Sequence, residues 1–275
     1  MTGTLYLVAT PIGNLGDISA RALETLKSVD LIAAEDTRVS IKLLNHFDIR
    51  KPMVSYFEHN RAESGAKLVE KLLSGGNIAL ITDAGMPAIS DPGEDMVRLC
   101  SEHGIPVIPV PGPCAVVAAL AVSALPTQRF CFEGFLSTSR KNRFRHLEEL
   151  KSEKRTIIFY EAPHKLIKTL EDMLEVWGDR HISISRELTK LYEETLHTTI
   201  SGALAHFTEV FPKGEFVLVI EGAEEIKIKM SKGEALDLMD RYRSEGKSLK
   251  EAAKLAGSES GFSKNELYAL AIKKT

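Results

Sequence analysis

The stretch IALITDAGMPAISDPG, residues 78–93, joins a short apolar segment to a turn dense in glycine, proline and aspartate. Its first five residues are apolar or β-branched, which is typical of a strand buried on both faces of a parallel sheet. The residues that follow cannot continue a regular element. Ligands bind beyond the carboxyl ends of strands in open α/β sheets, so this loop is either a binding site or an ordinary strand-to-helix connection.

Strand-like and helical segments alternate through residues 1–113, which we interpret as a first α/β domain. The predicted strands cover residues 5–9, 31–34, 52–56, 78–82 and 107–110. Asp17 is predicted to cap the first helix, which has apolar residues along one face. This alternation favours a parallel or mostly parallel sheet.

The alternation continues through residues 114–226, which we interpret as a second α/β domain on the substrate side. Its predicted strands lie near residues 130–133, 156–161, 182–186 and 215–221, with a further antiparallel strand over 192–200. Pro163 is expected to be the first residue of a helix that runs to about Val176.

Residues 227–275 are predicted to form a linker and a small helical domain. Three Ser-x-x-Glu capping boxes, which begin at Ser231, Ser248 and Ser263, predict three short helices. Gly246 and Gly257 are expected to end the first two. The last two helices resemble a helix-turn-helix, a unit that often contacts nucleic acid; the alternative is a helical cap that packs on the rest of the protein or on a partner subunit.

Composition narrows the class of protein. The chain has 275 residues, of which 44% are hydrophobic, and no apolar run approaches the roughly 18 residues of a membrane span. The N-terminus enters a strand pattern directly, without a signal peptide. The odd number of cysteines, with no Cys-x-x-Cys pair, favours neither a disulfide framework nor a zinc site. We therefore expect a cytoplasmic protein with no membrane association and no metal.

Positive charge is concentrated in two regions. Residues 227–275 carry 11 Lys and Arg against 7 Asp and Glu, which leaves a net charge of −7 on the rest of a chain whose total is −3. Residues 138–155 form a second basic stretch, which is either a phosphate-binding surface or a charged amphipathic helix with snorkelling side chains.

Most well-marked catalytic motifs are absent from the sequence. It contains no G-x-G-x-x-G after a strand, no P-loop, no G-x-S-x-G elbow and no H-E-x-x-H helix. Loops with glycine, proline or polar residues remain at strand ends: residues 10–16, 83–93, 111–113, 161–164 and 186–190. A cleft lined by such loops, without a phosphate cradle, suits a cofactor that has an adenosine but no phosphate, and S-adenosylmethionine is of that kind.

Eight colinear segments cover nearly the whole chain. They are LYLVATPIGNLGDI (5–18), DLIAAEDTR (30–38), ITDAGMPAISDPG (81–93), VPGPCA (110–115), FEGFL (132–136), FYEAPHK (159–165), RELTK (186–190) and GEFVLVIEG (214–222). Together they resemble the bacterial small-subunit ribosomal RNA methyltransferase I family, a branch of the tetrapyrrole methylase, or class III, superfamily.

The resemblance implies two α/β domains with S-adenosylmethionine in the cleft between them, a small C-terminal helical domain and a homodimer. It also implies methylation of the ribose 2′-hydroxyl of a cytidine in the decoding region of small-subunit ribosomal RNA, with the subunit or its RNA as partner. The implied cofactor contacts are Pro11, Ile12, Asp83, Gly85, Met86, Ile89, Cys114, Ala115, Tyr160, Leu188, Glu215 and Phe216. Met86 and Cys114 replace the family's usual threonine and serine, so cofactor contacts there would have to come from the backbone.

Methyl transfer requires the ribose hydroxyl to attack in line and benefits from a base. Glu133, Glu161 and Glu187 are candidate bases, and Arg186 and Lys190 are candidates to hold phosphate or polarise the hydroxyl. The candidate RNA contacts are Arg38, Arg140, Lys141, Arg143 and Arg145. Two other functions remain open: a tetrapyrrole methyltransferase of the same fold, and a non-enzymatic RNA-binding module.

Overall fold

The computed structural model describes residues 2–57, 60–224 and 230–274. The chain forms two compact units, Met1–Ala223 and Glu224–Thr275. The first contains two five-stranded sheets and the second contains helices, which confirms the predicted fold class. Both sheets lie in one compact unit, and the division at residue 113 stays a prediction. The predicted linker falls mostly outside the described residues.

The first sheet is entirely parallel. Its strands are β1 (Leu5–Val8), β2 (Leu31–Ala34), β3 (Met53–Ser55), β4 (Ile78–Ile81) and β5 (Val107–Val110). They lie in the order β3-β2-β4-β1-β5. The central strand is therefore β4, the first part of the 78–93 stretch, and it is buried throughout. The helices that follow these strands are α1 (Ala20–Ser28), α2 (Thr37–His46), α3 (Arg61–Leu73), α4 (Glu94–Glu102) and α5 (Ala115–Val122).

The start of α1 differs from the prediction. Ser19 caps this helix, and its side chain accepts a hydrogen bond from the backbone N–H of Ala22 at 3.1 Å. Asp17 lies instead in a short 3-10 turn, which Asn14 caps. Aspartate and serine are both favoured at the N-cap, so the sequence alone does not distinguish Asp17 from Ser19. The prediction was wrong because a 3-10 turn that the sequence does not reveal precedes the helix.

The second sheet is mixed. Its strands are β6 (Phe130–Phe135), β7 (Thr156–Glu161), β8 (His181–Arg186), β9 (Glu194–Thr199) and β10 (Phe216–Ile220). They lie in the order β6-β7-β10-β8-β9, and only β6 and β7 pair in parallel. The predicted antiparallel strand is confirmed as β9. The associated helices are α6 (Arg140–Glu149), α7 (Leu166–Trp177) and α8 (Ile200–Glu209).

Pro163 lies in the turn before α7, three residues ahead of the first helical residue. The expectation that it begins the helix was therefore wrong. Because β10 runs antiparallel to β7 and β8, its first residue, Phe216, lies opposite Glu161 and Arg186 at their carboxyl ends. The carboxyl ends of β7 and β8 and the amino end of β10 therefore lie side by side at one end of the sheet.

The C-terminal unit contains α9 (Lys232–Ser244), α10 (Leu249–Ser260) and α11 (Lys264–Lys274). All three predicted capping boxes form. Gly246 follows α9 as predicted, but α10 continues through Gly257 to Ser260 and is capped by Gly261, which has φ +75°. A Cβ at Gly257 would come within 3.0 Å of the carbonyl oxygen of Phe262, so this glycine lets the chain turn back closely. Within the described ranges, no helix is long and apolar enough to cross a membrane.

Candidate active site

A cavity of about 500 Å³ lies at the carboxyl ends of the first sheet and at the end of the second sheet where β7, β8 and β10 meet. Residues after β1, β4 and β5 line it on one side. Residues at the ends of β6 and β7, after β8 and at the start of β10 line it on the other. This is the position in which open α/β sheets bind ligands.

Ten of the twelve predicted cofactor contacts line this cavity. They are Ile12, Gly85, Met86, Ile89, Cys114, Ala115, Tyr160, Leu188, Glu215 and Phe216. Pro11 is buried and does not line it. Asp83 is also outside the lining, and its carboxylate accepts a hydrogen bond from the backbone N–H of Asp36 at 3.2 Å. The structure therefore brings most of the set together, while their contacts with a cofactor stay a prediction.

Gly85 fixes the central loop to the loop after β1. Its N–H and C=O exchange two hydrogen bonds with the backbone of Thr10, at 3.0 and 2.9 Å. Its φ of +89° is a conformation that favours glycine. The two loops therefore form one continuous wall of the cavity.

Strained backbone conformations occur in two cavity loops. Ala88 and Ser90 have φ values of +68° and +62° in the central loop, and Glu187 and Thr189 have +51° and +68° in the loop after β8. Such conformations cost energy in non-glycine residues and persist only where the surroundings impose them. Tertiary packing therefore holds these loops in a defined shape.

Acidic side chains cluster beside the central loop. Burial, with a contribution from the charge of Glu35, raises the pKa of Asp91 to about 6. Burial and the same glutamate also raise the pKa of Asp83. This side of the cavity is thus suited to a cationic or neutral ligand and unsuited to a phosphate.

Glu161 lines the cavity, but its carboxylate is already fully engaged. It is buried, forms an ion pair with Lys165 at 2.9 Å and accepts hydrogen bonds from the Thr169 hydroxyl at 2.6 Å and the Ala162 N–H at 2.8 Å. Both oxygens therefore have partners, which favours a structural role over that of a base.

The other two predicted carboxylates are outside the cavity lining. Glu133 contacts the His146 ring at 3.0 Å. Glu187 accepts hydrogen bonds from Lys190 at 2.8 Å and from the Glu215 N–H at 3.0 Å, and the Lys190 bond lowers its pKa. Both carboxylates therefore have polar partners and lie outside the cavity lining.

The two predicted cationic residues are also engaged. Arg186 forms an ion pair with Glu194 at 2.9 Å. Lys190 lies between Glu187 and Glu215, at 2.8 and 3.0 Å. Burial opposes the charge of Lys190, but these two hydrogen bonds outweigh it and raise the pKa. Both cations therefore stabilise the loop after β8.

The candidate RNA contacts separate into engaged and exposed residues. Arg143 is buried, and its guanidinium contacts Asp172 at 2.6 Å and the Ser137 carbonyl at 2.9 Å. The expectation that it faces RNA was wrong, because these partners hold it in the interior. Lys141 and Arg145 are exposed on α6.

The remaining two candidates are exposed but paired. Arg38 forms an ion pair with Asp36 at 2.6 Å. Arg140 contacts Asp172 at 3.3 Å and Glu175 at 3.0 Å, and its guanidinium lies 4.3 Å from the centroid of the Phe144 ring. Their charges are partly neutralised before any RNA binds.

Eight further residues line the cavity without having been predicted as contacts. They are Ala84, Ser90, Asp91, Phe135, Ala162, Pro163, His164 and Val217. All eight lie within segments that carry the family resemblance, and six belong to strand-end loops already considered candidate binding sites. Asp91 and His164 could have been predicted as cavity residues because they belong to those loops.

The sequence matches the family of tetrapyrrole (corrin/porphyrin) methylases over residues 4–203. A protein of Halalkalibacterium halodurans named ribosomal RNA small subunit methyltransferase I is 50% identical over 97% of this chain and 93% of its own length. A protein of the same name from Synechocystis is 49% identical over 98% of each chain. The chain belongs to the ribosomal RNA small subunit methyltransferase I family of tetrapyrrole methylases.

Solved tetrapyrrole methylases share the fold at low sequence identity. The uroporphyrin-III C-methyltransferase of Thermus thermophilus, in complex with S-adenosyl homocysteine, superposes with a TM-score of 0.56 at 18% identity. The match covers 78% of this chain and 97% of that one. This likeness confirms the architecture that the resemblance implied.

Proposed function

We propose that this protein transfers the methyl group of S-adenosylmethionine to a ribose 2′-hydroxyl of small-subunit ribosomal RNA, at a cytidine of the decoding region. The observation that carries the proposal is the 50% identity with a ribosomal RNA small subunit methyltransferase I over 97% of the chain. The acceptor is the small subunit or its RNA.

The cavity fits S-adenosylmethionine in size and in chemistry. Its volume of about 500 Å³ lies within the usual range for small-molecule sites. Apolar side chains such as Ile12, Met86, Ile89 and Leu188 form much of its wall, and no lysine or arginine lines it among the described residues. A sulfonium cation and an uncharged adenosine match these surroundings.

S-adenosylmethionine supplies an electrophilic methyl group, and the residues of the chain hold the acceptor in line and take its proton. Glu161 is engaged by Lys165, and Glu215 by Lys190. Asp91 and His164 are the remaining carboxylate and imidazole of the described lining. We therefore favour one of these two residues over Glu133, Glu161 and Glu187 as the proton acceptor.

A second copy of the chain is a proposed partner, and α5 supports it. This helix consists only of alanine, valine and leucine, yet the side chains of Val117 and Val122 are 57% and 49% exposed. A helix that is apolar all round is usually buried.

We expect Val117→Asp to shift sedimentation of the protein from dimer to monomer; monomeric wild type would contradict the proposed homodimer.

Methyl transfer from tritiated S-adenosylmethionine tests the function. The acceptors are purified small ribosomal subunits, the naked ribosomal RNA and a porphyrinogen. Label in the subunits or the RNA supports the proposal, and label in the porphyrinogen supports the tetrapyrrole alternative. Cofactor binding with no transfer to any of the three would contradict both.

A further inference from the structure

Phe135 presents an exposed aromatic ring at the cavity. It is the last residue of β6, it lines the cavity, and 55% of its surface is accessible. A single exposed apolar side chain is common on a protein surface, but an exposed ring that lines a binding cavity is positioned to contact a ligand. Its ring is therefore a candidate contact surface that the cofactor residues do not account for.

The surroundings hold the Phe135 ring in place without covering it. The Tyr160 ring lies 5.4 Å away between centroids, and the Lys165 ammonium lies 5.5 Å from the Phe135 centroid. Lys165 is itself fixed by Glu161 at 2.9 Å and by the carbonyl oxygen of Leu136 at 3.1 Å. A ring ordered in advance loses little conformational entropy when a partner stacks on it.

The strand is shaped so that Phe135 faces the cavity. The pairing of β6 with β7 shifts register between Phe132 and Phe135. Gly134, with φ +66°, lies in this irregularity, and a Cβ there would be 3.5 Å from the Ser90 hydroxyl. The end of β6 therefore lies close to the central loop, which supplies several of the proposed cofactor contacts.

Basic residues follow Phe135 along the chain. The helix α6 begins five residues later, and it exposes Lys141 and Arg145. Proteins hold unstacked nucleotides and their phosphates with exposed aromatic rings combined with solvent-facing cations, and β6 and the helix that follows it supply both kinds of residue.

We infer that Phe135 is the platform on which the base of the acceptor nucleotide stacks. This inference rests on the proposed function. A ribose in folded RNA reaches a cavity between two sheets only when its nucleotide leaves the RNA stack. The Phe135 ring replaces the lost stacking partner and sets the position of the ribose relative to the methyl donor.

The experiment compares F135A, F135L and F135W with F130A as the matched control. Phe130 lies at the other end of the same strand, is 40% exposed and does not line the cavity. Three constants are measured for each variant: the Kd for S-adenosylmethionine, and the kcat and KM for methyl transfer with small ribosomal subunits as the varied substrate.

F135A and F135L are expected to raise KM for the subunit by roughly ten- to a hundred-fold, as the loss of one base–aromatic stack predicts. Their Kd for S-adenosylmethionine should stay within about twofold of wild type, and F135W and F130A should resemble wild type in all three constants.

Two results would overturn the inference while leaving the proposed function intact. F135L could retain wild-type KM, which would mean that no π-surface is needed. Alternatively, F135A could weaken cofactor binding as strongly as it raises KM, which would assign the ring to the adenosine of the cofactor. Absence of methyl transfer by the wild-type protein would instead refute the proposed function itself, and the platform with it.

Discussion

Asp91 links the pH dependence of stability to the cavity. Burial and the charge of Glu35 raise its pKa to about 6 from an ordinary value of 3.8. A raised folded-state pKa means that the folded protein favours the protonated carboxyl, so ionisation destabilises the fold as the pH rises from about 4 to about 6.

We expect Asp91→Asn to stabilise the protein above pH 6 by on the order of 1 kcal/mol, because solvent screening reduces the effect at this half-buried site. The advantage should shrink as the pH falls toward 4. Urea unfolding at several pH values measures it, and parallel stability curves for variant and wild type would contradict this account of Asp91.

The ion pair between Arg143 and Asp172 is buried, at 2.6 Å. Among the residues that the structure describes, Arg143→Ala would leave the carboxylate of Asp172 with the longer ion pair to Arg140, at 3.3 Å. We expect a loss of about 3 kcal/mol in the free energy of unfolding, since a buried charge loses its main partner. Lys141→Ala, on the exposed face of the same helix, should change stability by less than about 0.5 kcal/mol. Equal stability of the two variants in urea unfolding would show that the pair is unimportant.

Among the secondary-structure elements, α10 shows how a close approach overrides helix propensity. Gly257 lies inside the helix, where alanine would normally be favoured by about 1 kcal/mol. A Cβ there would meet the Phe262 carbonyl oxygen at 3.0 Å and the Lys264 nitrogen at 3.3 Å. We expect Gly257→Ala to lower the protection of α10 amides in hydrogen exchange of the full-length protein. Increased protection would mean that the turn relaxes easily and that propensity prevails.

Strands were predicted well because their signal is local. Continuous apolar runs located β4 and β10, and alternation located β9. The position of β10 between β7 and β8 could not be predicted, since strand order depends on pairing between residues far apart in sequence. Helix starts failed at Asp17 and Pro163 for a related reason, because several residues near each start had the chemistry of a cap or a first turn.

At the level of the whole molecule, the candidate site is a convergence of loops from two sheets. The family motifs predicted twelve cofactor contacts from the sequence, and ten of these residues line the cavity. Of the three glutamates proposed as bases, only Glu161 lines the described cavity. A sequence shows that a glutamate ends a strand, but it does not show that Lys165 and Thr169 already bind the carboxylate of Glu161.

The same limit explains Arg143 and Phe135. A basic stretch does not reveal that Arg143 points into the core, where Asp172 binds it. Nor does an apolar strand reveal that its last ring stays exposed at a cavity. The contacts and the exposure of a side chain depend on tertiary packing, so they are seen only in the structure.

The position of the transferred methyl group distinguishes ribose methylation from methylation of a base. After transfer from tritiated S-adenosylmethionine to small ribosomal subunits, the RNA is extracted and hydrolysed in alkali. A 2′-O-methyl group blocks cleavage at its own nucleotide, so we expect label in an alkali-resistant dinucleotide whose first residue is cytidine. Label in ordinary mononucleotides would place the methyl group on a base and would contradict ribose methylation.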